Sequence, residues 1–433
     1  MNQSTIDQIL KPVHKFIRLE YTGGIVLFIS VIVALLWANS AYSASYHDFW
    51  EMKFSVQFAG QGLDQPLHIW INDGLMALFF FVIGLELKRE FMAGELSTMR
   101  KASLPMMAAL GGMIVPALIY LGINAGQSSA RGWGIPMATD IAFALGILSL
   151  AGKNIPASVK VFLSALAVAD DLGAVLVIAF FYTAHISMVP LIAGLAVFLL
   201  LGIGNLLGVR NTTFFLVLGL LVWFGFLLSG VHATIAGVLV AFTIPARTKI
   251  NEKDYVRYIK KYTAAFEHAI PQLGSLTSSE QHHTIEKIKK ISVDAETPLQ
   301  KIEHKLHPWV AFVIMPLFAL ANAGIVFNGN FLASLKNPVS IGIIFGLIVG
   351  KFAGVLLFTW VMIRFNFAQL PQDATWKHIA GIAMLAGVGF TMSLFVTELA
   401  FDDLNFINSA KSGILLASGL AGLSGLIWLK RLK

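Results

Sequence analysis

The amino-acid sequence predicts an all-α polytopic membrane protein with about twelve transmembrane helices. Three observations predict it. Apolar runs of membrane-spanning length recur from end to end, charge is scarce, and the positive charge that exists alternates between connecting segments. Hydrophobic residues make up 57% of the 433 residues, charged residues only 13%, and the mean hydropathy is +0.75. A soluble domain carries about 25% charged residues, so this chain has too little polar surface to cover a globule of its length. Residues 1–433 therefore read as one integral membrane unit, where length alone would suggest about three soluble domains. The absence of cysteine excludes disulfides and thiolate metal sites. The first 20 residues are polar and lack the apolar stretch and small-residue cleavage site of a signal peptide. The first apolar run, from near Gly23, is thus expected to remain as a span.

A bilayer core takes about 20 apolar residues of helix. Runs near that length sit at about 21–39, 66–87, 102–124, 134–151, 157–183 and 187–207, and again at about 213–229, 231–246, 308–327, 337–363, 378–399 and 407–429. The division of 213–246 into two short spans is the least regular. The positive-inside rule tests the count independently. With the N-terminus cytoplasmic, the cytoplasmic segments carry all but five of the 31 Lys and Arg: Lys53, Arg131 and Lys336 fall outside, and Lys351 and Lys411 fall within spans. Both termini are therefore expected in the cytoplasm. The net charge of +7 is topological and implies no nucleic-acid partner.

One connection is long. Residues 247–307, with the extended charged loop 247–302 as their main part, carry five of the 11 histidines and the makings of short amphipathic helices. A solvated cytoplasmic connection and a pH-responsive segment both fit it. On the outer side, FWEMKFSVQF within 40–65 alternates partially, as a short strand or hairpin does.

Ionisable groups inside spans cost about 2.5–3.5 kcal/mol each and are functional candidates by default. Here they are Asp73, Asp140, Asp170, Asp171 and Lys351, with His232 at a span's outer edge. Lys411 lies about one turn inside its span, where its stem can reach the interface. Asp170 and Asp171 stand mid-span in ALAVADDLGAV. Adjacent helical residues point about 100° apart, so one carboxylate can face a cavity while the other faces a helix. Burial and each other's charge favour the protonated form, which lets a carboxyl exchange protons near neutrality. Asp140 follows Thr139 in GIPMATDIAF, where Pro136 and small residues interrupt a short span. GIAMLAGVGFTMSLF, with Gly387, Gly389, Thr391 and Ser393, is a second candidate for interruption. Broken helices expose dipole ends and free carbonyls that transporters use to hold ions. Lys351 has no charged neighbour in its own helix, so its economical partner is one of the two aspartates. Carboxylates, a threonine hydroxyl and backbone carbonyls are hard oxygen donors. They suit Na⁺ or Li⁺ better than Mg²⁺, and nothing gathers His or Cys for zinc or copper.

These motifs together resemble the NhaA family of sodium/proton antiporters. The matching stretches are INDGLMALFFFVIGLELKRE (71–90), GGMIVPALIY (111–120), GIPMATDIAFALGILSL (134–150), ALAVADDLGA (165–174), SGVHATIAGV (229–238), EHKLHPWVA (303–311), PLFALANAG (316–324) and GVGFTMSLF (387–395). The resemblance runs from about residue 10 to the C-terminus. It implies inverted repeats and two interrupted helices crossing at the midplane, an architecture of which this family is itself a known example. It makes Asp171 the principal cation-binding carboxylate and Asp170 its proton-exchanging neighbour, paired with Lys351. Thr139 and Asp140 then lie at the helix crossing, where charges compensate opposed helix dipoles, and Asp73 contributes to an outer funnel. Glu86, Lys88, Arg89 and Glu90, with Glu303, His304 and His307, form the implied cytoplasmic pH-sensing cluster, and His232 belongs to the same response. The implied protein is a homodimer in the bacterial inner membrane, without cofactor, performing electrogenic exchange by alternating access. The loop at 247–302 is longer than in the short family members.

On this reading Na⁺ or Li⁺ and H⁺ compete for one carboxylate site, and the bound ion undergoes no chemistry, so the chain is not an enzyme. An intramembrane aspartyl protease needs carboxylates on two facing helices, whereas the adjacent pair here shares one. A passive channel fits poorly with a lysine among the carboxylates.

Overall fold

The computed structural model describes residues 22–58, 61–152, 155–183, 186–269, 276–327 and 331–432. The N-terminal segment with Lys11, Lys15 and Arg18, and the interfacial Lys153, lie outside the described residues.

Every predicted apolar run carries helix, because a chain with no water to bond its backbone must satisfy its N–H and C=O groups within each segment. Helix α1 (Thr22–Ala38) turns by 113° into the short α2 (Ser43–Glu51). A two-stranded antiparallel hairpin follows, β1 (Lys53–Phe58) with β2 (Gln61–Pro66), in the register Ser55↔Asp64. The stretch expected as strand or hairpin thus divides, its first three residues ending α2. Helix α3 (Leu67–Ala93) contains a π-helical turn at Trp70–Leu75, and α4 (Met99–Asn124) carries Pro105 and Pro116. A 3₁₀ stretch at Ser128–Met137 bends by 42° into α5 (Ile141–Ala151). Then come α6 (Ala157–Tyr182), α7 (Met188–Leu206), α8 (Thr212–Ser229) and the 11-residue α9 (Ala233–Thr243). Gly230, at φ 81°, makes the left-handed turn that separates α8 from α9.

The charged loop is largely helical. α10 (Glu252–His268) and α11 (Ser279–Ala295) form an antiparallel pair, α10 begun by the Asn251 cap and α11 by a capping box from Ser278 and Gln281. The chain re-enters through α12 (Pro298–Asn322), which starts earlier than the apolar run at 308–327 and carries the Glu303 cluster on its first turns. A short helix α13 (Phe331–Leu335) precedes α14 (Pro338–Arg364). α15 (Trp376–Ala386) and α16 (Phe390–Ala400) are bent by 41° at their junction, and α17 (Leu404–Lys430) closes the described chain.

Among the described residues, eight single helices are long and apolar enough to cross a membrane, and up to eleven spans result if each bent pair counts as one. Only α9, at 11 residues, separates that figure from the twelve expected runs.

Two contacts tie these helices around the site. Phe80 of α3 and Phe318 of α12 both pack against Phe395 of α16, tilted and edge-on, at 5.4 and 6.3 Å between ring centres. α4 and α14 approach so closely that a Cβ on Gly354 would sit 2.1 Å from the carbonyl oxygen of Gly111. Only glycine fits that approach, and it seats Lys351, one turn before Gly354, beside α4.

Candidate ion and proton site

The site begins with two breaks that touch. Residues 138–140 are extended between the 3₁₀ stretch and α5, and Gly387–Gly389 separate α15 from α16. The Asp140 N–H donates to the Val388 carbonyl at 2.7 Å, the Thr139 hydroxyl to the Ala386 carbonyl at 2.9 Å, and the Ser393 hydroxyl to the Ile135 carbonyl at 2.8 Å. Each break therefore satisfies backbone groups that the other exposes, which buried chain requires. Asp140 accepts from the Phe143 N–H at 3.0 Å, capping α5, and from the Thr391 N–H at 3.0 Å and the Thr391 hydroxyl on the first turn of α16. One carboxylate thus faces the positive ends of two helices. At the negative end of α15, Thr139 carries the Ala386 carbonyl's hydrogen bond and itself accepts one from Lys351 Nζ at 2.9 Å.

Asp170 and Asp171 are each only 1% exposed, and Lys351 is 0% exposed. Lys351 forms an ion pair and hydrogen bond with Asp170 Oδ2. Asp170 Oδ1 and both oxygens of Asp171 have no hydrogen-bond partner among the described residues. Their 100° separation on α6 explains the division: one carboxylate meets α14 and the other turns toward open space.

That space is a cavity of about 330 Å³ between α1, α3, α5, α12 and α16. Asp171, Asp140 and Thr391 border its inner part, and Glu86 and His307 border it from the ends of α3 and α12. Around Glu86 the charges form a network. Arg89 pairs with Glu303 at 2.5 Å, with Glu90 at 3.2 Å and with Glu86 at 3.7 Å. Glu303 is buried, while Glu90 also accepts the Glu95 N–H at 3.0 Å. His304 is exposed on the same helix. Lys88 stands apart from these carboxylates. Its ammonium donates to the Phe242 and Ile244 carbonyls at 2.7 and 2.5 Å, capping the C-terminus of α9.

Asp73 and His232 lie at the other end. Thirteen residues of helix, about 20 Å, separate Asp73 from Glu86. The Asp73 carbonyl accepts from the Trp223 indole at 3.1 Å, and its carboxylate lies within the field of His232 and His68. A ring nitrogen of His232 meets the Tyr182 carbonyl at 3.0 Å. The structure therefore does not bring His232 to the Glu86 cluster.

Three pairings escaped the sequence reading. Thr391 stood out there as a break marker, and its bond to Asp140 depends on packing. Asn72 and Asn322 exchange side-chain amide hydrogen bonds, at 2.9 and 3.4 Å, between α3 and the end of α12. Glu398 pairs with Lys411 at 2.9 Å, both side chains partly buried, so a carboxylate holds Lys411. Glu398 was visible as an acidic residue at the edge of the run 378–399 and was the available signal.

The family model described as "Na+/H+ antiporter 1" matches residues 14–429. The chain is 50% identical to the Na(+)/H(+) antiporter NhaA of Oleidesulfovibrio alaskensis over 97% of its own length and 94% of that protein's. It is 48% identical to the Na(+)/H(+) antiporter NhaA of Acidithiobacillus ferrooxidans over 97% of both chains. With Na(+)/H(+) antiporter NhaA 2 of Syntrophotalea carbinolica the identity is 47%, over 97% of this chain and 96% of that one. Matches of this extent, over a chain whose touching helix breaks surround buried carboxylates, place the protein in the Na⁺/H⁺ antiporter 1 family.

Proposed function

We propose that this chain is a secondary active antiporter that exports Na⁺, and Li⁺, in exchange for protons. One observation carries the reading: the carboxylate of Asp171 is buried at a cavity with neither oxygen bonded to the protein. An unpartnered buried charge is costly, so this group is stable only when it holds a proton or a cation. It therefore alternates between the two, which is the elementary step of exchange. Asp170 is the second proton site. Its ion pair with Lys351 competes with protonation, so the pair opens when Asp170 takes a proton. Asp140 and Thr139 hold the helix breaks in register, and the Thr139 hydroxyl and nearby carbonyls complete a hard-oxygen shell.

The cavity that reaches Asp171 from the Glu86 and His307 side is the cytoplasmic access, and Asn72 with Asn322 helps close the opposite side. Na⁺ enters from the cytoplasm as protons leave. Reorientation exposes the carboxylates outside, where protons displace the cation. The cluster of Glu86, Arg89, Glu90, Glu303, His304 and His307 sets the pH at which this access opens, and Asp73 with His232 shapes the outer funnel. The protein resides in the bacterial inner membrane with both termini cytoplasmic. It dimerises through its outer hairpin, where Phe54 is 53% exposed.

The test uses everted vesicles from cells without antiporters of their own, in which a respiration-driven pH gradient is challenged with Na⁺, Li⁺ or K⁺. Collapse of the gradient with Na⁺ and Li⁺ but not K⁺, abolished by Asp171→Asn, is the expected result. A properly inserted chain that gives no Na⁺ response between about pH 6 and 9, a range spanning carboxyl and histidine titration, would end the reading.

A further inference from the structure

A second polar cavity lies away from the ion site, at the end of the molecule where α4 and α6 begin. It measures about 590 Å³ and is bounded by the first turns of these helices and by the chain that follows α14. Its polar rim contains Arg100 and Lys101 with the acidic Glu95, and the side chains of Gln369 and Gln372. Ser158 donates to the Gln372 carbonyl and so pins the connecting chain over α6. Its inner wall is apolar: Leu104, Pro105, Val161 and Phe162 lie about one turn further along the same helices.

The charges at the rim are unspent. The Arg100 guanidinium has no hydrogen-bond or ion-pair partner among the described residues. Lys101 reaches Glu95 only at 3.9 Å. The rim thus keeps one net positive charge. Both helices also start without a side-chain cap, at Thr98 and at Pro156. The Lys101 and Val159 N–H groups donate to the Thr98 and Pro156 carbonyls at 3.0 Å, which leaves the N–H groups of the first two residues of each helix for an anion. The order of chemistry along α4 and α6, cationic and polar at the start and apolar one turn in, is that of an amphiphile standing at a membrane interface. Val161, 45% exposed beside the cavity, continues the apolar wall out to the molecule's surface.

We propose that this cavity binds an anionic phospholipid, its phosphodiester held by Arg100 and Lys101 and its acyl chains lying along α4 and α6. A phosphodiester carries one negative charge, matching the net charge of the rim, and guanidinium with ammonium is the usual donor set for it. The apolar inner wall favours a lipid over free phosphate, which has nothing to place there. The site is separate from the ion site: none of the residues that bound it also bounds the cavity at Asp171.

The experiment titrates the purified full-length chain with short-chain phosphatidylglycerol, phosphatidylcholine or inorganic phosphate and reads bound ligand by native mass spectrometry. Phosphatidylglycerol is expected to bind best. R100Q/K101Q should weaken it by roughly 25-fold, at about fivefold per cation near an anionic headgroup, while R100K with Lys101 intact restores most of it. K260Q/K261Q, which removes two cations from the exposed face of α10, is the control for overall charge. Equal binding by wild type and R100Q/K101Q overturns the proposal. So does an equal loss in K260Q/K261Q, which would make the attraction non-local, or a preference for inorganic phosphate, which would remove the lipid.

Discussion

Asp170 and Asp171 are neighbours in the chain and equally buried, yet one is paired with a lysine and the other with nothing. Their substitutions should therefore differ in kind. Asp170→Asn strands the fully buried Lys351, and breaking a buried pair by removing one partner costs about 3–5 kcal/mol. Asp171→Asn removes an unpartnered charge and should leave stability unchanged or slightly raised while transport is lost. Denaturant or thermal unfolding of the two variants in detergent separates them. Adding Lys351→Met to Asp170→Asn should recover most of the lost stability, since it removes the stranded charge. If both single variants were equally stable, the pairing of Lys351 with Asp170 would be wrong.

At the scale of the element, the breaks are built by exchange. α5 and α16 share the Asp140 carboxylate, and the carbonyl at the end of α15 is met by Thr139, with Lys351 behind it. Charges that in isolation would be expensive thus compensate helix ends. Lys88 plays the corresponding part for α9. Its sequence position, inside LELKRE, groups it with the acidic cluster, but its donors reach the Phe242 and Ile244 carbonyls. Lys88→Met should lower stability by about 1 kcal/mol, the net worth of a hydrogen bond, since the Phe242 carbonyl it leaves is exposed and only the Ile244 end is buried. It should leave the pH midpoint of Na⁺-driven proton flux in place, whereas Arg89→Gln should move it. A shifted midpoint in Lys88→Met would return that residue to the sensing network.

Across the whole molecule, the α10–α11 pair stands as an addition to the membrane helices. It is clipped at its base, where the Lys249 N–H donates to the Asp294 carbonyl at 3.0 Å and their side chains pair at 3.3 Å. Because residues 249 and 294 already meet, excising 252–295 and closing with a short Gly/Ser linker asks little of the chain. Na⁺-dependent proton flux should stay within about threefold of the intact protein, the scale of a modest change in loop length. Loss of flux in a correctly inserted variant would make the pair part of the transport cycle.

The fold class was legible because membrane helices advertise themselves locally: the length of an apolar run, its proline and glycine interruptions and the lysines and arginines at its ends are properties of short windows. The candidate residues were legible for the same reason, since a carboxylate or lysine inside an apolar run stands out wherever it folds. What the window could not contain is partnership. Lys351 and Asp170 are 181 residues apart and Thr391 and Asp140 are 251 apart, so which groups meet depends on how whole helices pack. Packing gave Lys351 to Asp170 and left Asp171 open to the cavity. It also sent Lys88 to α9, joined Glu398 to Lys411, and set His232 at the far end from Glu86. A 100° step along one helix, or one close glycine contact between two, is enough to decide each of these, and neither is written in hydropathy.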